Sequence, residues 1–207
     1  MIIRHRGFEP QIGHSVFVAP TAVVCGKVGI GKDSRIMYGA VLDSEGSHIE
    51  IGECVIILEN AVIRATALPD KNNPVIIGNN VNVGPHATLL GCTVGPNSFI
   101  ATGATILHGA IIQSGAVVAV SAFVHANTVI PKGFLVPPHT VAIGSPVKIY
   151  GTDDKEALAD AVRAVGFVKA AYGVEADWED GGKRYKRVTE ARSKELGEHF
   201  NDIILDK

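Results

Sequence analysis

Along most of the chain an aliphatic residue recurs every six positions, often followed by glycine, with a small residue four places on. The segments IGKDSR (30–35), IMYGAV (36–41), IGECVI (51–56), ILENAV (57–62), IGNNVN (77–82) and VGPHAT (83–88) show the pattern, and it runs unbroken from VGPNSF (94–99) through VHANTV (124–129). A period of six matches neither the face of a helix nor the two-residue alternation of a half-buried strand. It fits a repeat architecture in which each hexad supplies one short strand and one corner. Three hexads close a triangular coil, and coils stack at the interstrand spacing of about 4.8 Å. The aliphatic first residue and the small fifth residue then point inward. The prediction is an all-β solenoid over residues 1–151, with about seven coils starting at Ile12, Ile30, Ile51, Ile77, Val94, Ile112 and Ile130.

The register slips in three places. Extra residues stand at 43–50 (DSEGSHIE) and 64–76 (RATALPDKNNPVI), and the repeat LLGCT (89–93) is one residue short. In a regular solenoid such departures are loops or bulges, where function concentrates.

Residues 152–207 form a helical extension. Asp153 and Glu156 read as a capping box. Leu158, Ala161, Val162, Val165, Val168 and Tyr172 follow helical spacing, and Gly173 is the stop. After a polar stretch at 175–183, a second, weaker helix is expected over about 184–199, with Tyr185, Val188, Leu196 and Phe200 on one side. These helices either pack along the solenoid and cap its edges or cover a groove between subunits.

Composition narrows the function. A net charge of −2 supplies no basic field for nucleic acid. No apolar run approaches the roughly 18 residues of a membrane span, and MIIRHRGFEP lacks the apolar core of a signal peptide. Cys25, Cys54 and Cys92 are odd in number and without CxxC spacing. They fit free thiols in a reducing cytoplasm, and their different places within the hexads argue against a shared thiolate site. The expectation is a cytoplasmic protein with no nucleic-acid or membrane partner.

Three stretches carry a family resemblance. GAVLDSEGSHIEIG (39–52), IGECVIILENAVIR (51–64) and VIIGNNVNVGPHATLLGCTVG (75–95) resemble γ-class carbonic anhydrases, including the long insertion before residue 75 and the five-residue repeat. The resemblance covers roughly residues 8–150. It implies a left-handed parallel β-helix, against the usual right-handed crossover, and a homotrimer. It also implies zinc or another divalent metal held between subunits by three histidines, with an open position for hydroxide that attacks carbon dioxide.

Residue by residue, the resemblance places Arg64, Pro85 and Leu90 at the family's three histidine positions. Guanidinium stays protonated, and proline and leucine side chains offer no lone pair. The surround differs too: Asp43 and Glu45 replace the family's Arg and Asp, and Leu58 and Glu59 replace its Gln and Asp. No metal is therefore expected, and carbon dioxide hydration is expected to be lost. Counting hexads stacks Asp43, Arg64, Leu90, Leu107 and His125 in one outward column, so an Asp43–Arg64 ion pair is predicted where the metal would stand. It would fix subunit register or hold a polar ligand group.

Of the eight histidines (His5, His14, His48, His86, His108, His125, His139 and His199), no three cluster on one face by this count. His86, one place past the replaced ligand at Pro85, is the candidate general base of an alternative. Hexapeptide-repeat proteins include acyltransferases that use acetyl-coenzyme A, and VAIGSPVKIY (141–150) is similar to their closing segment. The first reading remains a trimeric scaffold or small-molecule binder, with Asp43, Glu45, Leu58, Glu59, Arg64, Pro85, His86 and Leu90 around an inter-subunit groove. A third is a metal-free enzyme reusing that pocket.

Overall fold

The computed structural model describes residues 1–68, 71–151, 153–174 and 181–205. Short parallel strands stack into three faces. Two faces are seven-stranded sheets, and the third is a ten-stranded sheet. Every predicted coil start pairs with the next in one column: Ile12, Ile30, Ile51, Ile77, Val94, Ile112 and Ile130. The hexad count is therefore correct through both insertions and the short repeat. Strand Ile2–Arg4 adds an eighth rung to the third face, beyond the seven coils expected.

Inward positions explain the stability. Ile36, Leu42, Ile57, Ile63, Leu89, Ile100, Ile106 and Ile112 are completely buried, and small residues such as Ala40, Ala61, Ala87 and Ala104 fill the corners. Each buried Ile or Leu contributes about 1.5–3 kcal/mol. An exposed ion pair contributes about 0–1 kcal/mol, so the apolar ladder carries the solenoid. Gly78 shows why glycine follows the aliphatic residue. A Cβ there would lie 2.7 Å from the backbone nitrogen of Pro96 in the next coil.

The third face holds the departures from the repeat. Its parallel strands include Val23–Cys25, Val41–Asp43, Val62–Arg64, Thr88–Leu90, Thr105–Ile106, Phe123–Val124 and Val141–Ile143. Antiparallel strands close both of its edges. Lys148–Tyr150 pairs with Val141–Ile143, and Ile203–Leu205 pairs with Ile2–Arg4. Each added strand pairs the edge of the parallel ladder on this face. The long insertion is a hairpin, with Thr66–Leu68 antiparallel to Lys71–Asn73.

The tail departs from expectation in detail. Helix α1 spans Lys155–Val165, but Asp153 and Glu156 form no capping box. The N-cap is Asp154, whose carboxylate turns back to accept the Gly151 amide at 2.8 Å and is no longer available to the helix. Gly166 adopts a left-handed conformation (φ 62°), so the expected single helix breaks, and α2 follows over Phe167–Tyr172. Gly173 ends it, as the sequence predicts. Residues 175–180 of the polar stretch lie outside the described residues. Helix α3 spans Gly181–Leu196 and runs into a 3-10 turn at Gly197–Asn201. Its expected apolar side is buried only in part: Val188 and Leu196 are half-buried and line a groove against the solenoid. Tyr185 is exposed and Phe200 is 95% exposed, whereas Arg192 and Glu195 are partly buried against the solenoid. The solenoid offers α3 a charged surface, and charged residues answer it.

Candidate functional site

The first insertion builds the site. Ser44 begins the turn, and its hydroxyl accepts the Lys27 amide at 2.8 Å. The buried Asp43 carboxylate accepts the Glu45 amide at 3.0 Å, a local bond that aspartate makes readily in turns. This folds the buried Glu45 side chain back over the sheet. Strand pairing places Arg64 between Asp43 and Leu90, as the hexad count requires. Arg64 Nη2 donates to Asp43 Oδ2 at 3.2 Å, and its Nε lies 3.2 Å from Glu45 Oε1. The predicted ion pair thus has a second carboxylate that the hexad count did not supply.

Helix α3 completes the charge network. Arg192 Nη2 donates to the same Glu45 Oε1 at 3.2 Å, and Arg192 Nη1 to Glu195 Oε2 at 2.5 Å. Burial, then the Asp43 charge, pushes the Glu45 carboxyl above its usual value, against the opposing pull of Arg64 and Arg192. Burial opposes the Arg192 charge, but Glu195 and Glu45 outweigh it and raise that group.

Beyond Asp43 the network reaches both chain ends. His199 Nε2 lies 3.6 Å from Asp43 Oδ2, and its Nδ1 lies 2.8 Å from Asp202 Oδ2. His5, 1% exposed, places Nδ1 2.5 Å from Asp202 Oδ1 and stacks on the His199 ring with centroids 4.3 Å apart. Cys25 Sγ lies 3.8 Å from Asp202 Oδ2. Burial, then Asp43 and Asp202, pushes the Cys25 thiol up to about 12. Burial works against the Asp202 charge, but bonds from His199 and His5 outweigh it and hold the carboxyl below its usual value.

Between this face and α3 lies a cavity of about 790 Å³. Arg64, Thr66 and Leu90 form its solenoid side, with His108 on the next rung. Tyr172, Arg192, Leu196 and Phe200 bound it from the tail. The short repeat shapes its floor, since Gly91 turns left-handed (φ 50°) and its amide donates to the Arg64 carbonyl at 2.9 Å. Thr66 Oγ1 and Asn73 Nδ2 are buried without a hydrogen-bond partner. Further along the column, His125 has its ring edge-on to Phe167 of α2, and burial lowers its basicity.

The expected site residues separate into two places within the subunit. Asp43, Glu45, Arg64 and Leu90 come together beside the groove. Leu58, Glu59, Pro85 and His86 occupy the turns of two adjacent coils at a corner, where the His86 amide donates to the Glu59 carbonyl at 2.9 Å. His86 is exposed in a left-handed conformation (φ 58°) and does not line the groove. Arg64, Pro85 and Leu90 carry no side-chain atom that could hold zinc, and the Arg64 guanidinium is engaged by two carboxylates. The residues at these positions do not fit the metal. Arg192, His199, Asp202, His5 and Cys25 were not foreseen. The one local signal was the polar stripe Arg192, Glu195 and His199, spaced as one face of a helix.

No family profile matches the chain. The mitochondrial gamma carbonic anhydrase 2 of Arabidopsis thaliana is 41% identical over 127 residues, 60% of this chain. That match spans 46% of the relative, so the chain covers about half its length. A carbonic anhydrase of Geobacillus kaustophilus is 32% identical over 193 residues, covering 93% of this chain and 95% of that protein. Among solved structures, a hexapeptide transferase family protein from Anaplasma phagocytophilum superposes with a TM-score of 0.57 at 22% identity, over 93% of this chain and 97% of the other. That likeness concerns the fold alone. With a near full-length relative at this identity and a solenoid that keeps every predicted rung, the chain belongs to the γ-carbonic-anhydrase-like family of hexapeptide-repeat proteins.

Proposed function

We propose that this chain is a trimeric γ-carbonic-anhydrase-like protein that does not hydrate carbon dioxide at the family's metal position and instead binds a small ligand in the groove beside Arg64 and Leu90. The observation that carries this reading is Arg64 itself. A permanently protonated group, 3.2 Å from both Asp43 and Glu45, occupies the place that the resemblance assigns to a zinc-binding imidazole. Metal activation of water needs neutral donors and an open coordination position, and a guanidinium repels the cation.

Two further features support a ligand. The groove combines apolar walls with a few polar groups, the ordinary make-up of a small-molecule site. Buried polar atoms without partners are rare, so Thr66 Oγ1 on the groove wall is ready to bond a polar group or a water. Arg64, 34% exposed, can meet a carboxylate, while Leu90, Leu196 and Phe200 receive an apolar body.

The trimer has its own support. On a second face Phe17, Ile56, Phe99 and Leu135 are exposed in one outward column, which Arg35, Asn82 and Val117 share with them. Large exposed apolar side chains gathered in one column mark an interaction surface, and burying them against a second copy would place the corner residues Leu58, Glu59, Pro85 and His86 near a subunit boundary.

The test is a stopped-flow carbon dioxide hydration assay with zinc-loaded protein, together with thermal-shift measurements against small carboxylates. The expected result is no hydration above background and a stabilising carboxylate whose effect is lost in Arg64→Met. Hydration at enzymatic rates would reject the reading. Stabilisation by acetyl-coenzyme A, lost in His86→Ala, would favour an acyltransferase.

A further inference from the structure

Two histidines, a cysteine and an aspartate converge at the N-terminal end of the solenoid, away from the residues that the resemblance assigns to metal. His5 follows the first strand, Ile2–Arg4. Cys25 ends the next strand of the same sheet, Val23–Cys25. His199 and Asp202 come from the 3-10 turn and the residue before strand Ile203–Leu205, which pairs antiparallel with Ile2–Arg4. One donor atom from each of the four lies within 4.8 Å of all the others.

We propose that His5, Cys25, His199 and Asp202 form a four-coordinate site for a divalent transition-metal ion, zinc foremost, that fastens the C-terminal segment to the first rungs of the solenoid. Imidazole, thiolate and carboxylate are each zinc ligands, and four of them fill its tetrahedron. Tetrahedral bonds of about 2.0–2.3 Å put ligand atoms roughly 3.2–3.8 Å apart. Cys25 Sγ, 3.8 Å from Asp202 Oδ2, already stands at that spacing. The Asp202 carboxylate, 2.5 Å from His5 Nδ1 and 2.8 Å from His199 Nδ1, needs to withdraw by less than about 1 Å to admit the ion.

Charge favours a cation here. Asp43, Glu45 and Glu195 touch two guanidiniums (Arg64 and Arg192), and His199 links Asp43 to a fourth carboxylate, Asp202, in one connected network. With neutral imidazoles the network carries two excess negative charges. Protonating both histidines would balance it only by stacking two cationic rings with centroids 4.3 Å apart, which repel at short range. A single divalent ion, with both rings neutral and the Cys25 thiolate formed, reduces the excess from three negative charges to one. Arg6, Lys194 and Glu198 line an adjoining pocket beside Arg192 and Glu195, next to the connected network.

The surroundings also suit the ion. Binding releases the thiol proton to solvent, and each ring binds through Nδ1 with its remaining proton on Nε2. The Nε2–H of His199 then faces Asp43 Oδ2, at 3.6 Å. A carboxylate behind a metal-bound histidine fixes its tautomer and orientation. Asp43 also accepts from Arg64, so the ion would brace the wall of the ligand groove without entering it.

The experiment uses full-length protein stripped with a chelator and titrated with Co²⁺ and Zn²⁺. The expected result is one ion per chain and, with Co²⁺, a thiolate-to-metal charge-transfer band. Cys25→Ser should abolish the band, His199→Gln should weaken affinity at least tenfold, and His14→Gln, at an exposed histidine, should leave both unchanged. Saturating zinc should raise the Tm by about 5–10 °C at a hundredfold excess over Kd. Failure to bind, binding without the band, or affinity unchanged in both ligand variants would overturn the proposal. None of these readouts depends on carbon dioxide hydration or carboxylate binding, so this site and the proposed function stand or fall separately.

Discussion

Arg64 and Arg192 meet on a single carboxylate oxygen: Glu45 Oε1 lies 3.2 Å from Arg64 Nε and 3.2 Å from Arg192 Nη2. One guanidinium belongs to the solenoid and the other to helix α3. Glu45 is thus the joint between the repeat and its helical extension.

Removing Arg64 should therefore cost more than an ordinary surface pair. Arg64→Met leaves two buried carboxylates short of a partner, with an expected loss of about 2–4 kcal/mol. That is below the full cost of breaking a buried pair, because a third of Arg64 meets solvent. Combining Arg64→Met with Asp43→Asn should recover part of the loss. Urea midpoints for the two single variants and the double variant check this, and strict additivity would remove the coupling.

Glu45 should leave a pH signature. Its carboxyl is raised, by burial first and then by Asp43. An acid raised in the folded state holds its proton more tightly folded than unfolded. Stability should therefore fall as pH rises from the unfolded value of 4.5 to the raised folded value, and level off above it. Glu45→Gln should flatten that slope, as read from urea midpoints at successive pH values.

Gly91 is the position where the five-residue repeat depends on glycine. Its φ is positive, and a Cβ would lie 2.7 Å from the Asn73 Cβ and 3.1 Å from the His108 ring. Gly91→Ala should destabilise by about 1–3 kcal/mol from backbone strain alone. It should also displace the hairpin strand Lys71–Asn73, reducing ligand-dependent thermal shifts in the groove.

The exposed column on the second face makes a separate prediction. Phe99→Glu introduces charge between Ile56 and Leu135 and should convert the proposed trimer to monomer without unfolding the solenoid. Light scattering after size-exclusion chromatography, with circular dichroism as the folding control, reads both.

The period of six was enough to determine the solenoid, its seven coil starts and the Asp43–Arg64–Leu90 column. Inward ladders demand one residue type at one interval, and that demand is visible residue by residue. Helix positions in the tail followed from local spacing for the same reason, apart from the break at Gly166 and the N-cap. Tertiary structure alone decided what faces Arg64. Glu45 arrives there through a turn that Asp43 itself nucleates, Arg192 comes from a helix more than a hundred residues away, and His5 reaches His199 because the last strand pairs with the first. Such encounters depend on how insertions fold and how chain ends dock, and neither follows a repeat. That Arg192 and Glu195 join Val188 and Leu196 against the solenoid was not legible either, because local hydrophobicity cannot reveal that the surface awaiting the helix is charged.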